Sequence, residues 1–331
     1  MKTAVILMNL GTPAAPTPTA IRRYLRDFLS DERVVEIPRL LWLPILYGVI
    51  LPFRPRRIAV GYRQMWKEYG DSPLRVISQR QADRLAQRLR RDASDAPMVR
   101  VAMTYGAPQL ADVVSELRAE QVEHILVLPL YPQFSATSTG AVYDRVAALY
   151  RSSRNIPSLN VLKHYHDHPS YIEALAQSVL AHWREHGRAQ KLLMSFHGIP
   201  KRNVEMGDPY RAHCEHTAIL LAHRLGLGTA QWQLSFQSRL GRAEWLQPYT
   251  SVQLQQWGEQ RVASVDVICP AFATDCLETL EEIAVENREV FQRAGGGEYR
   301  YISCLNDTDA HIELLVELID ENMPSGFSPL L

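Results

Sequence analysis

Eight short β-rich runs, each followed by a longer stretch of helical period, constrain this chain more tightly than any other feature. The first half carries runs at 4–8, 99–103, 124–130 and 159–162, and the second at 191–196, 231–235, 264–269 and 299–303. Amphipathic segments lie between them, among them 75–91, 110–120, 171–186 and 275–293. Strands that alternate with helices pair in parallel and are covered on both faces. Four strands per half predict two similar doubly wound α/β domains, 1–165 and 166–331. No low-complexity linker separates them, so close packing of the halves is expected. Ligands of such folds bind beyond the carboxyl ends of the strands and between domains, which directs attention to the residues just after each strand.

A length of 331 residues suits two domains better than one core. Lys and Arg total 36 against 36 Asp and Glu, and this zero formal net charge offers no electrostatic footprint for nucleic acid. The opening MKTAVILMNLGTP breaks at Asn9 and a Gly-Thr-Pro turn without a small-residue cleavage site. It reads as a buried first strand rather than a signal peptide. The longest apolar stretch, LLWLPILYGVILPF at 40–53, holds Pro44 and Pro52 and is shorter than the roughly 20 residues a spanning helix needs. Cys214, Cys269, Cys276 and Cys304 form no CxxC pair, so reduced thiols in a cytoplasmic chain are expected.

Three strand ends carry unusual chemistry. After the third run, YPQFSATSTG at 131–140 is dense in hydroxyls, which suit a helix N-cap and could also line a ligand site. The fifth run ends in SFHGIP, which holds His197 at the expected crevice. Histidine suits proton exchange near neutrality, although a lone histidine is more often structural. The seventh run leads through CPAFATD into a helix on which Asp275, Glu278, Glu282 and Glu286 fall in one narrow sector. Thr274 is the expected N-cap there. Such a stripe is either a solvated acidic face or a row of hard oxygen ligands that passes a divalent cation along, and spacing does not decide between them. His164, His166 and His168 alternate on an extended segment, but exposed polar residues are ordinary between a strand and a helix, and that reading outweighs metal binding.

Together these motifs resemble the ferrochelatase family, which completes haem synthesis. The likeness runs through NLGTP at 9–13, FLSDERVVEIPR at 28–39, LPLYPQFSATSTGA at 128–141, SFHGIP at 195–200 and GDPY at 207–210. It continues in FQSRLGRAEWLQPYT at 236–250 and CPAFATDCLETLEEI at 269–283. The resemblance implies two Rossmann-like, chelatase-like domains, each a four-stranded parallel sheet flanked by helices, around a porphyrin cleft. It implies that His197 and Glu278 form the inner metal site, with Asp275, Glu282 and Glu286 as a metal route on a helix that family members often distort into a π-helix. Tyr131 and Trp245 match aromatic cleft positions, Leu10 a position beside the ring, and Arg57, Tyr62 and Ser72 match propionate-holding positions more loosely. Residues 36–57 correspond to an apolar lip, for which a core helix between domains is the competing reading; Trp42, Leu43, Leu46 and Ile50 would share one face of it.

The departures are informative too. Members with an iron–sulfur cluster place a cysteine in the YPQFS loop and three near the C-terminus; here the loop has Ala136 and the tail has none, so no cluster and no permanently bound cofactor is expected. Members that metallate coproporphyrin commonly have Tyr where this chain has Leu10, which favours protoporphyrin IX; Thr104 replaces an arginine of some relatives. The expected partners are protoporphyrin IX and Fe2+, with peripheral contact to the inner membrane face or to an upstream porphyrin-producing oxidase, in a monomer or weak dimer. Metal insertion needs a base for two pyrrole protons and an exchangeable hard ligand for the ion, roles that suit His197 and Glu278 respectively. A haem carrier and a cobalt chelatase for a related tetrapyrrole compete with this reading; the carboxylate row argues against the first and FQSRLGRAEWLQPYT against the second.

Overall fold

The computed structural model describes residues 2–92, 96–151, 153–239, 241 and 243–323. All eight runs form strands: β1 (Thr3–Gly11), β2 (Met98–Tyr105), β3 (His124–Pro129), β4 (Ser158–Val161), β5 (Lys191–His197), β6 (Trp232–Gln237), β7 (Ser264–Ile268) and β8 (Glu298–Ile302). They build two parallel sheets, ordered β2-β1-β3-β4 and β6-β5-β7-β8. One topology is thus used twice, and the winding reverses between β1 and β3 and again between β5 and β7. Those reversals are where doubly wound sheets open a crevice at their carboxyl ends. Continuous burial of Ala4 to Met8 in β1 and of Leu193, Met194 and Phe196 in β5 explains why the strands lack polar alternation: helices cover both faces.

Contacts divide the chain into two compact units, one of Met1–Leu130, Ser135–Lys163 and Leu315–Leu331, the other of Tyr131–Phe134 and His164–Leu314. A cut at 165/166 therefore differs from the contact division at three places, the four residues after Leu130, the pair His164 and Tyr165, and the chain from Leu315, while 324–331 lie outside the described residues. The physical reason for the last is the closing helix Asp309–Asn322, whose final residue accepts from Asn160 Nδ2 of β4 at 2.9 Å.

In the first unit the apolar stretch becomes the helix Arg39–Ile45, a π-helical turn Leu46–Ile50 and the helix Leu51–Tyr69. Pro44, Pro52 and Pro55 remove three amide donors within these turns, which accounts for the broken α pattern. One face packs inward: Trp42 and Leu46 are buried, and the Trp42 indole donates to Leu29 O at 2.6 Å. Leu43 and Ile50 are half-buried. The other face is open, with Leu40 90% and Phe53 71% exposed and Leu41, Ile45, Tyr47 and Val49 beside them in sequence. Among the described residues no helix is long and apolar enough to cross a membrane.

Candidate active site

The second unit gathers the candidate chemistry at the carboxyl ends of β5 and β7. His197 ends β5, half-buried, with its ring 6.1 Å from that of Phe272 in the segment after β7. Its Nδ1 lies 2.6 Å from the Gly198 carbonyl oxygen. A carbonyl only accepts, so Nδ1 carries the proton and Nε2 keeps its lone pair for a proton or a metal. Gly198 donates its amide to Gln237 O at 2.9 Å, and a Cβ there would stand 2.7 Å from that oxygen and 3.1 Å from the Trp245 ring. Glycine is thus required for close approach of β5 to β6. Trp245 is held by an antiparallel bridge to Pro200 and by the bond from Leu246 N to Ile199 O at 3.0 Å.

Glu278, Glu282 and Glu286 lie on a π-helix, Glu278–Asn287, whereas Asp275 precedes it in a non-helical segment and is not on the helical face that its spacing predicted. The distortion of the helix has identifiable causes, because three side chains take its carbonyls as acceptors. Gln237 Nε2 donates to Glu278 O at 3.2 Å, Asn287 Nδ2 to Glu282 O at 2.8 Å, and Tyr299 Oη to Ile283 O at 2.7 Å. Each supplies a partner for a carbonyl that the wider helix aligns poorly. Thr274 is not the N-cap: the helix starts after Leu277, and Thr279 Oγ1 instead accepts the Cys276 amide at 3.0 Å.

The carboxylates differ in environment along the stripe. Asp275 is buried and surrounded by donors: Tyr301 Oη at 2.5 Å, Asn306 Nδ2 at 2.6 Å, Thr279 Oγ1 at 3.0 Å and the Cys304 amide at 3.4 Å. That is the setting of an anchor for the helix entrance, with its lone pairs already engaged. Glu278 and Glu282 are half-buried and Glu286 is exposed, so the stripe runs from interior to solvent. Burial pushes the Glu282 carboxyl above its ordinary range, against the opposing pull of Ser238, which donates from N at 2.7 Å and from Oγ at 2.6 Å. His197 also lowers it and Glu278 raises it, so the charges of both groups reach Glu282.

Behind His197 lies a buried polar hub that sequence reading missed. Ser195 Oγ donates to Gln237 Oε1 at 2.8 Å and meets Thr250 Oγ1 at 2.8 Å, while Ser235 Oγ meets Thr250 at 2.9 Å. Gln237 thereby links β5, β6 and the Glu278 carbonyl. Nothing in the spacing of these residues marks them, although the hydroxyls in SFHG and LSFQS were a weak signal.

The remaining expected residues fall on both units. Tyr131, half-buried, belongs to the second, where it helps hold the buried Tyr165 phenol un-ionised. Leu10, Arg57, Tyr62 and Ser72 belong to the first. Leu10 is half-buried near the end of β1, Arg57 is exposed, Tyr62 stacks edge-on with Trp66, and Ser72 Oγ donates to Thr12 Oγ1 at 2.8 Å. In the YPQFS loop Ser135 caps the π-helical turn Ala136–Gly140 by accepting Thr137 N at 3.2 Å, as its hydroxyl suggested.

A family model described as ferrochelatase matches residues 2–323. A ferrochelatase of Aeromonas hydrophila subsp. hydrophila is 51% identical over 318 residues, which is 96% of this chain and 98% of that protein. One from Janthinobacterium sp. is 52% identical over 319 residues, 96% of this chain and 86% of its own. Among solved structures, SirB from Bacillus subtilis with Fe3+ has a TM-score of 0.56 at 12% identity and covers 97% of this chain and 95% of its own. CbiX, described as the terminal enzyme for biosynthesis of siroheme in denitrifying bacteria, has a TM-score of 0.52 at 13% identity, with 96% and 98% covered. At such identities the structures share the fold.

Proposed function

Since this chain belongs to the ferrochelatase family and so inserts ferrous iron into a porphyrin in haem synthesis, we propose that its porphyrin is protoporphyrin IX and that His197 and Glu278 carry the step. The observation that bears most weight is the pairing of opposite chemistries at one switch point: an imidazole with Nε2 as its basic nitrogen after β5, and carboxylates reaching solvent after β7. Insertion replaces two pyrrole N–H bonds with metal–nitrogen bonds and releases two protons. His197 Nε2 accepts the two pyrrole protons in turn, giving up the first before it takes the second, and Glu278 gives up Fe2+ to the ring. Glu282 and Glu286 bring the ion inward and lead protons out. Asp275 holds the helix in register rather than the ion. Bending of the macrocycle, supported by binding elsewhere on the ring, exposes the nitrogen lone pairs.

The choice of protoporphyrin IX rests on Leu10, an apolar side chain near the end of β1 where relatives that metallate coproporphyrin commonly have Tyr. The test is loss of protoporphyrin fluorescence under anaerobic Fe2+, run on wild type, His197→Ala and Glu278→Gln, with coproporphyrin in parallel. Rapid loss with wild type, a fall of roughly 100-fold or more in either variant, and slower coproporphyrin turnover are expected. Normal turnover by His197→Ala with porphyrin still bound overturns the base assignment.

We further propose that the chain works without an iron–sulfur cluster or other permanent cofactor. Cys214, Cys269, Cys276 and Cys304 are all buried, and neither the YPQFSATSTG segment at 131–140 nor the chain beyond Cys304 carries a cysteine that could join them around a cluster. Iron–sulfur bands in the absorbance of the purified protein would contradict this. The exposed apolar face around Leu40 and Phe53 supports a cytoplasmic chain that touches the inner membrane face or an upstream porphyrin-producing oxidase while staying a monomer or weak dimer. Vesicle flotation and sedimentation of wild type against Leu40→Ser/Phe53→Ser test that reading.

A further inference from the structure

Away from β5 and β7, the second unit packs four histidines together. His164 and His166 follow β4, and His213 and His216 stand one turn apart on the helix Tyr210–Arg224. Ring centroids of His164 lie 4.9 Å from His166 and 4.8 Å from His213, while His166 stacks on His213 at 3.8 Å and 4°. His216 is tilted 61° to His166 at 5.5 Å. His166 is 5% exposed, and its Nδ1 is buried with no hydrogen-bond partner among the described residues.

Two ligand trios share His166, namely His164–His166–His213 and His166–Asp167–His216, with the ligand atoms of each within 4.8 Å of one another. Ring geometry separates them. A metal ion lies in the plane of every imidazole that binds it, so the parallel stacked pair His166–His213 cannot hold one ion between them as they stand. The outer trio has no such conflict. His166 Nε2 faces His216 Nδ1 at 3.4 Å, and Asp167 brings Oδ2 to 3.9 Å from that same His216 Nδ1, while its Oδ1 lies 3.6 Å from the other ring nitrogen of His166, Nδ1, which would not bind the ion. Two nitrogens bound tetrahedrally at roughly 2.0–2.1 Å stand roughly 3.3–3.4 Å apart. The facing nitrogens are already at that separation.

We propose that His166, His216 and Asp167 form a site for one borderline divalent transition-metal ion of the zinc class, separate from the residues assigned to porphyrin metallation. His164 and His213 pack behind His166 and fix its ring, and His213 is itself held by the Phe134 amide, which donates to its Nδ1 at 3.2 Å. Half-exposed Asp167 and His216 form the solvent edge, where water completes a four-coordinate ion.

The test uses the untagged full chain carrying His197→Ala and Glu278→Gln, so that the chelation residues do not compete. Co2+ is titrated into it with the visible d–d bands of four-coordinate cobalt as readout, and Zn2+ by calorimetry. One equivalent is expected, with a zinc-induced rise in unfolding temperature. His216→Ala and Asp167→Asn, both half-exposed and so compatible with folding, are each expected to weaken binding at least about tenfold. No stoichiometric binding, or binding unchanged by His216→Ala, overturns the site. Binding lost with His213→Gln but kept with His216→Ala overturns this ligand set.

Discussion

Ser238 holds the Glu282 carboxylate with two donors, its amide 2.7 Å from Oε1 and its hydroxyl 2.6 Å from Oε2, from a left-handed backbone at φ 66°. Both bonds favour the ionised carboxylate, against burial, which favours the acid. Ser238→Ala removes the hydroxyl donor and leaves the amide, so the carboxyl rises further. If Glu282 must be ionised to pass iron or accept protons, the acid limb of the rate–pH profile moves to higher pH. Turnover at pH 7 falls several-fold while the alkaline plateau holds. An unmoved limb would show that Glu282 does not titrate in the rate.

Stability gives an independent reading of the same group. The folded carboxyl of Glu282 lies above its unfolded value, so the native state favours its protonated form. That contribution is fully present below the unfolded pKa and is lost as pH rises through the folded one. Glu282→Gln keeps a neutral side chain at all pH. It is expected to unfold at a higher temperature than wild type at pH 8, by roughly 2–4 °C per kcal/mol recovered, and to differ little at pH 4. Melting curves at the two pH values check the crossover.

Much of this was legible in the residues. Runs such as VILM and LLMSF read as strands because parallel strands buried on both faces need no polar alternation. The place of His197 at the end of β5 was legible, because Gly198 and Pro200 close the run directly after it. The stripe was legible as spacing but not as roles: Asp275 fits the same helical count as Glu278, yet Tyr301, Asn306 and the Cys304 amide, all distant in sequence, claim it. The causes of the π-helix were hidden for the same reason, since Gln237 and Tyr299 reach the helix from β6 and β8. His164 and His166 looked like solvated loop residues until another helix brought His213 and His216 against them.

Asp275→Asn tests the anchor. The amide turns its NH2 towards donors already aimed at a carboxylate, which exchanges attraction for repulsion at one or more of four contacts. A loss of about 2–4 kcal/mol is expected. Tyr301→Phe removes a single donor and should cost about 1–2 kcal/mol. Both should lower turnover through the helix that bears Glu278, with the larger fall in Asp275→Asn. Urea unfolding and steady-state metallation measure the two effects.

His311 supports the same entrance, with Nδ1 2.6 Å from the Asn306 carbonyl oxygen, and burial pushes it down to about 4. Its folded pKa lies below the unfolded one, so the unfolded chain binds more protons between about pH 6.5 and 4. Stability therefore falls as pH drops across that window, by roughly 3 kcal/mol from this group alone. His311→Gln keeps a donor for Asn306 without the titration. Its unfolding free energy should be flatter from pH 6.5 to 4 than that of wild type, a difference equilibrium urea curves resolve.

Gly198→Ala tests whether close approach of β5 and β6 sets the position of His197, the base of the proposed function. The new Cβ would meet Gln237 O at 2.7 Å, a backbone atom that also accepts the Gly198 amide, and the Trp245 ring at 3.1 Å. Neither neighbour is the loose end of a flexible chain, so the end of β5 must shift by some tenths of an ångström and carry His197 with it. Overpacking of this kind costs about 1–3 kcal/mol, and a displaced base lowers the rate of the chemical step more than it weakens porphyrin binding. The expected result is a fall of about tenfold or more in kcat with KM nearly unchanged. Gly187→Ala is the control: Gly187 has φ 76° with nothing within 4 Å of its added Cβ, and it follows the helix Pro169–His186. Backbone strain there should lower stability comparably and leave kcat alone. Equal losses of kcat in the two variants would mean that global destabilisation, rather than the position of His197, governs the rate.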